Sequence, residues 1–424
     1  MFLIITTDMI KTLPPMKTGD TLLHDLEILP EYTKEIWKEN TSIRLMKLSD
    51  LYSIYIPSFM SQEIYSKLYL ALLRSLQKKS TKVAVMQQNQ NFWAMQGLEH
   101  HGIIGGSDSF TIIGVSGIGK SSAISRAITL ITERKLIEVE ETQSKIIPCV
   151  MVQCPFDSSV KGLLLNVLHK VDEEIGSNYY ENAIRVRATV DMLIGNVSQV
   201  ALNHIGLLIV DEIQNVCNSK QGKSLVGMLT QLINNSGISI CMVGTPESAV
   251  FFESAMQLAR RSLGLQYQAM EYNHDFQHIC KVLYSYQYTK KHTEITDTMI
   301  EWLYEHSAGI VSVVVALIHD AQEIAILNGK EELNLESLNE AYQKRFSLLH
   351  GYLEPTIKKG KQTTNRRKAT TTSTTISEVI ENTVVKDSSI STDVLANLVK
   401  QSKKENLDIV KLLKENLTVV EVSI

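Results

Sequence analysis

The chain has 424 residues, enough for two or three domains, and 44% hydrophobic against 21% charged residues describes a chain that mostly folds around a substantial core. A disulfide-stapled miniprotein is excluded. With 42 basic against 46 acidic residues and a net charge of −4, no bulk positive field draws the whole molecule to nucleic acid, so any contact with it must be local.

At the start, Met1–Ile5 is apolar but is broken by Thr6, Thr7 and Asp8, too short for a signal-peptide core. No run approaches the ~18 apolar residues of a transmembrane helix, and the expectation is a soluble cytoplasmic protein with no membrane partner. Residues 1–104 contain Ile64, Leu68, Leu72 and Leu73 on one helical face, which predicts a helical N-terminal extension. From 105 to 272, short β-rich runs alternate with longer helical stretches, the mark of an α/β domain with a parallel sheet. Five strands are expected: Phe110–Ile113, Ile146–Val152, Leu207–Val210, Ile238–Val243 and Gln266–Met270. Over 273–354 the spacing becomes helical again, as in Phe276, Ile279, Val282 and Leu283, and predicts a small helical lid. Residues 355–424 open on Lys358-Lys359-Gly360-Lys361, Arg366-Arg367-Lys368 and a threonine run, a flexible basic linker leading to a partner-docking tail with Leu395, Leu398, Leu412 and Leu413.

The chemistry concentrates in the α/β part. Gly114-Val115-Ser116-Gly117-Ile118-Gly119-Lys120-Ser121 satisfies the phosphate-binding loop pattern, follows an apolar strand and precedes a helix, with Ser122 next in line. Small residues let successive backbone N–H groups curl around phosphates, while the helix that follows directs its positive dipole end at them. Lys120 supplies a mobile positive charge for the β and γ phosphates, and Ser121 offers a hydroxyl to Mg²⁺. Leu207-Leu208-Ile209-Val210-Asp211-Glu212 reads as a buried parallel strand ending in two carboxylates, at the end where such sheets bind ligands. Asp211 would hold Mg²⁺, mainly through water, and Glu212 would orient and activate the attacking water.

Other features carry two readings each. Thr245, after the strand ending at Val243, is either a sensor of the attacking water or γ-phosphate or part of an ordinary strand-ending turn. Arg260 and Arg261 are either an arginine finger reaching a neighbouring subunit's nucleotide or a solvated basic pair. Phe92 and Trp93 can pack near a nucleotide base or in a core. Cys149, Cys154, Cys217, Cys241 and Cys280 sit mostly in apolar contexts and are expected as reduced thiols, since neither they nor His100-His101 have zinc-ligand spacing.

These elements, with a helical bundle after the sheet, resemble an AAA+ ATPase module. The resemblance narrows with Val152–Lys161, Ile205–Asn215, Val243-Gly244-Thr245, Ala259-Arg260-Arg261 and Ser307-Ala308-Gly309-Ile310, which are similar to the TnsC family of transposition regulators, relatives of TniB and IstB. It runs from about 110 to 322. It implies ATP and Mg²⁺ as ligands, ATP hydrolysis to ADP and phosphate, and a homo-oligomer, ring or filament, on double-stranded DNA without sequence preference. It further implies a link between a target-site selector protein and the transposase, with disassembly on hydrolysis. One departure concerns the lid: many AAA+ proteins carry an arginine three residues after the glycine that matches Gly309, where this chain has Ser312. Two other readings stay open, a signalling or scaffold NTPase that switches protein partners without DNA and a helicase-loader relative. Lys161 and the Lys358–Lys368 cluster are the candidate DNA contacts, since phosphate contacts carry no base identity.

Overall fold

The computed structural model describes residues 13–96, 98–99, 101–104, 109–133, 136–139, 144–218, 222–248 and 264–346. All belong to the first of two compact units, Met1–Ile357; the linker and tail expected over 355–424 lie outside the described residues.

Apolar runs bounded by turns form a sheet of six strands among the described residues, in the order β2-β3-β4-β5-β1-β6. They are β1 (Phe110–Gly114), β2 (Ile137–Val139), β3 (Ser144–Gln153), β4 (Ile205–Asp211), β5 (Ser239–Gly244) and β6 (Leu265–Tyr267). Every residue of β1, β4 and β5 is buried, as continuous apolar runs in a doubly covered parallel sheet should be. The register pairs Ile112 with Val243, Ile209 with Cys241 and Val152 with Val210, all parallel. Two details correct the five-strand expectation. Strand β2 adds an antiparallel edge, Ile137 opposite Ile146, and three residues are too few to show a period. Strand β6 stops at Tyr267, and the Met270 N–H, expected in the strand, instead donates to Gly309 O at 3.1 Å and ties the sheet's edge to the lid.

Helices cover both faces. On one, α6 (Val160–Ile175), α7 (Tyr179–Arg185), α8 (Val190–His204) and α9 (Gly222–Ser236) contribute Leu164, Leu168, Ala183, Val197 and Leu229 to one core with Leu208 and Ile240. On the other, α1 (Gly19–Leu26), α3 (Phe59–Lys79) and α5 (Lys120–Thr132) pack against Ile112, Leu207 and Ile209. Helix α3 starts at a capping box formed by Ser58 and Ser61 and buries Ile64, Leu68, Leu72 and Leu76, a four-residue repeat on one side. A third core belongs to the lid, α10 (His274–Ser285), α11 (Asp297–Ser307), α12 (Val311–Leu327) and α13 (Leu335–Ala341); it also takes in Leu48 and Leu51 from the N-terminal region. The N-terminal residues are therefore shared among the cores: α1 and α3 complete the sheet's layer, while the segment between them, which includes α2 (Thr41–Lys47), docks on the lid.

Helix α4 (Lys82–Met95) is built inside out. Ala84, Gln87, Asn91 and Ala94 face the body, while Val85, Met86, Phe92 and Trp93 face outward, Phe92 being 54% and Trp93 46% exposed. Small residues allow close approach: a Cβ on Gly195 of α8 would lie 2.8 Å from Ala94. The buried amides have dedicated partners, with Asn91 donating to Asn235 O at 2.9 Å and the Ile104 N–H donating to Gln87 Oε1 at 3.1 Å. Phe92 and Trp93 thus occupy neither of the two places considered for them. Among the described residues no single helix is long and apolar enough to cross a membrane.

Candidate functional site

Three strand ends meet at one place because β5 lies between β4 and β1. After β1 the chain turns through Gly117 and Gly119, at φ +82° and +97°, values that an L side chain would strain, and enters α5 at Lys120. The Lys120 ammonium is largely buried beneath this loop and donates to Gly114 O at 2.7 Å and Val115 O at 2.9 Å. Burial lowers its pKa, opposed by the negative charges of Asp211, Glu212 and Glu247.

One turn of backbone beyond β4 sorts the two carboxylates. Asp211 is buried; its Oδ2 accepts from Ser121 Oγ at 3.1 Å and its Oδ1 from the Glu212 N–H at 2.8 Å. Glu212 sits at φ +56°, unusual for a non-glycine residue, and is exposed where Asp211 is buried. Its carboxylate accepts from Gln214 Nε2. The other end of the Gln214 amide, Oε1, accepts from the Thr245 N–H at 3.4 Å. Gln214 therefore bridges the ends of β4 and β5. The Thr245 hydroxyl bonds to Glu247, whose carboxyl it holds below its ordinary range. Gln214 and Glu247 carry no catalytic pattern of their own in sequence; Gln214 enters only as part of the Ile205–Asn215 segment.

A cavity of ≈ 250 Å³ joins these groups, lined by Ser116, Lys120, Ser121, Asp211, Glu212 and Thr245 among others. Of the expected site residues, Ser116, Gly117, Gly119, Lys120, Ser121, Ser122, Asp211, Glu212 and Thr245 line this cavity, whereas Gly114, Val115 and Ile118 do not. Arg260 and Arg261 lie outside the described residues. From the lid, Ser312 also lines this cavity, and its backbone N–H donates to Gly117 O at 3.1 Å, so the lid touches the phosphate loop through backbone where an arginine side chain was the family's expectation.

Behind the phosphate loop, a second cavity of ≈ 320 Å³ is apolar. Its walls come from Tyr52, Ile54 and Ile56 before α3, Tyr267 at the end of β6, and Ile279 and Val311 of the lid. None of these is a candidate binding residue in sequence, Ile279 entering only as part of the lid's helical spacing, because they are distant in the chain and carry no motif. Gly117 and Gly119 line both cavities, which places the apolar space next to the phosphate side.

Two of the segments that carry the resemblance, Val152–Lys161 and Ile205–Asn215, are clasped together. The Cys154 N–H donates to Asp211 O at 2.8 Å, Asn215 Nδ2 donates to Cys154 O at 3.0 Å, and Ser158 Oγ donates to Asn215 O at 2.9 Å. The Gln-Cys-Pro segment after β3 thereby fixes the turn that holds the two carboxylates. Burial pushes the thiols of Cys149 and Cys280 up to about 12 and that of Cys154 to about 11, so all three are protonated and unreactive near neutral pH.

Residues 83–268 match the model of the family described as Bacterial TniB protein. The matched span contains the phosphate loop, both clasped segments and helix α4 from its second residue; it begins earlier and ends earlier than the 110–322 over which the sequence resemblance was read. No curated protein matches the chain. Among solved structures it is similar to the Orc1 protein of Aeropyrum pernix in complex with DNA, with 14% identity, 62% of this chain and 64% of that chain covered, and a TM-score of 0.41. It is also similar to Drosophila ORC bound to DNA, with 11% identity, 99% and 87% covered, and a TM-score of 0.43. The chain spans less than two thirds of the Orc1 chain it matches.

Proposed function

We propose that this chain, whose central residues 83–268 carry the pattern of the transposition-associated TniB family of AAA+ proteins, is a cytoplasmic ATPase that assembles as a ring or filament on double-stranded DNA. In this reading it links a target-site selector to the transposase and leaves the DNA on hydrolysis. The observation that carries the catalytic part is the convergence of Lys120, Ser121, Asp211 and Glu212 on one polar cavity at adjacent strand ends.

The donor set fits a nucleotide with Mg²⁺. Glycines at positive φ leave the loop's N–H groups free to face phosphates, and a neutral hydroxyl paired with a buried carboxylate is an oxygen pair of the kind that hard cation takes. Ser121 and Asp211 are the residues that would hold Mg²⁺, which when bound neutralises charge on the phosphate oxygens. Lys120 moves from the loop carbonyls to the phosphates, trading two neutral acceptors for charged ones. Glu212, exposed where Asp211 is buried, takes the proton of the attacking water, with Gln214 fixing its carboxylate and Thr245 completing that side of the cavity. The apolar cavity receives the base. Arg260 and Arg261 are proposed to reach the nucleotide of a neighbouring subunit.

On the DNA side, Lys161 is exposed in the first turn of α6, just beyond Phe156, which is 81% exposed in the loop after β3. Repetition along an assembly gives such isolated charges their affinity, and that affinity falls steeply with salt. Electron microscopy and gel shifts with ATP, with and without duplex DNA and across a salt series, test the reading. Assemblies that need both ligands and weaken with salt are expected. Failure to bind duplex DNA with ATP at low salt would replace it with the protein-switching NTPase. Repeating the series on a chain lacking 356–424 assigns DNA binding to the AAA+ core, as expected, or to the tail.

A further inference from the structure

The chain between α1 and α3 forms a loop that spans from the phosphate-loop helix to the lid. Its base is fixed beside α5: Arg126 of that helix donates to Asp25 O and Leu26 O, both at 3.0 Å, and Ile28 and Tyr55 exchange two backbone hydrogen bonds of 2.9 Å. Its far part rests on the lid. Tyr32 OH donates to Gln287 O at 2.7 Å, Tyr286 OH donates to Pro30 O at 3.1 Å, and Leu48 and Leu51 are buried in the lid core. The returning limb, Tyr52 to Ile56, is a wall of the apolar cavity.

At the lid end lies Arg44, 0% exposed, the largest fully buried side chain of the described residues. Its guanidinium donates in a fork to Glu331, at 2.6 and 2.7 Å, and also to Tyr288 O at 2.9 Å. Glu331 stands at φ +55°, and its own backbone is bonded on both sides, its N–H donating to Ala325 O and its carbonyl accepting from the Lys291 N–H. Arg44 Nε has no partner. A buried ion pair with an unpaired N–H is a poor substitute for an apolar contact as bulk stabilisation. A two-pronged fork onto a conformationally locked carboxylate does, however, fix position and angle, which an apolar contact does not.

We infer that Arg44 is a positioning residue for the nucleotide: through its fork to Glu331 it registers the loop on the lid and so sets the wall formed by Tyr52, Ile54 and Ile56 against the base. The inference rests on the nucleotide-binding reading above and extends it to a residue outside both cavities. Phosphates are held separately, by the loop from Gly114 to Ser121, so loosening the wall weakens what binds behind that loop and spares what binds in front of it. Base-bearing and base-free ligands therefore separate the two.

The test is calorimetric titration of the full chain with ATP and with inorganic tripolyphosphate, for the parent, Arg44→Met, Arg44→Lys and Glu331→Gln. Arg44→Met and Glu331→Gln are expected to weaken ATP binding about tenfold, the equivalent of 1.4 kcal/mol, and tripolyphosphate binding by less than about twofold. Arg44→Lys keeps the charge without the fork and is expected to fall between parent and Arg44→Met. A purely structural role would move both ligands together, so equal losses for the two, or no loss for either, would overturn the inference. Circular dichroism reports whether each variant is folded; if Arg44→Met is not, the Glu331→Gln pair of titrations decides. A parent chain that binds neither ATP nor tripolyphosphate overturns the nucleotide reading and this inference with it, whereas a parent that binds ATP beside variants without the split overturns this inference alone.

Discussion

The two cavities that share Gly117 and Gly119 are built on different principles. Apart from Ser312 of the lid, the polar one draws its groups from the ends of three adjacent strands and the loop and helix that follow β1, so the sheet's hydrogen-bond ladder sets their spacing. The apolar one is assembled from the N-terminal loop, the end of β6 and the lid, elements that meet only because long-range docking brings them together. In the proposed reading, chemistry rests on groups spaced by the sheet and base-side affinity on elements joined by long-range docking.

The contrast breaks first at Lys120. Lys120→Ala removes the only phosphate-loop cation, and nucleotide affinity is expected to fall roughly a hundredfold, about 3 kcal/mol, with folding retained because no bonded partner is left charged and buried. Equilibrium titration checks it; an unchanged affinity would place the nucleotide elsewhere. A smaller effect is expected at Gln214, which bonds Glu212 and Thr245. Gln214→Ala should lower the hydrolysis rate about tenfold, the worth of one lost hydrogen bond to a charged group, while leaving ATP affinity intact. A loss of affinity at constant rate would instead assign it to binding.

These two residues also show what could be read from the chain. Lys120, Ser121, Asp211 and Glu212 were legible because each lies in a contiguous pattern whose chemistry dictates its neighbours. Gln214 and Glu247 were not, since a role that consists of holding another side chain leaves no period or motif. The sheet was legible from its continuous apolar runs, except for β2, whose three residues at an edge show none. Ile54, Tyr267 and Val311 carry the same letters as any core position, and only tertiary packing makes them one wall. Helix α4 misled for a different reason: periodicity assumes that amides face water, yet Gln87 and Asn91 have bonded partners inside, which leaves Phe92 and Trp93 outside.

The docking of the N-terminal loop on the lid has a signature in acid. Hydrogen bonds from Arg44 hold the Glu331 carboxyl below its ordinary value of 4.5, so the pair's contribution is complete above that pH and is lost as pH falls through the lower, folded value. The parent should therefore lose stability below about pH 4.5 more steeply than Glu331→Gln, which has no charge to lose there. Thermal melts across that range check it, and parallel curves would remove Glu331 from the acid response. The smallest effect is expected at helix α4: Phe92→Ser with Trp93→Ser should change stability by no more than about 0.5 kcal/mol each, because both side chains already face solvent. A loss of several kcal/mol in denaturant titration would mean that this face is covered.

The central claim is that the carboxylate pair at the end of β4 divides its labour, Asp211 for the cation and Glu212 for the water. Glu212→Gln tests it most directly, by measuring retained ATP and steady-state hydrolysis on the same sample. The account expects ATP to be retained at parental affinity while hydrolysis falls by about 10²-fold or more, the usual contribution of a general base. Hydrolysis equal to that of the parent would contradict it.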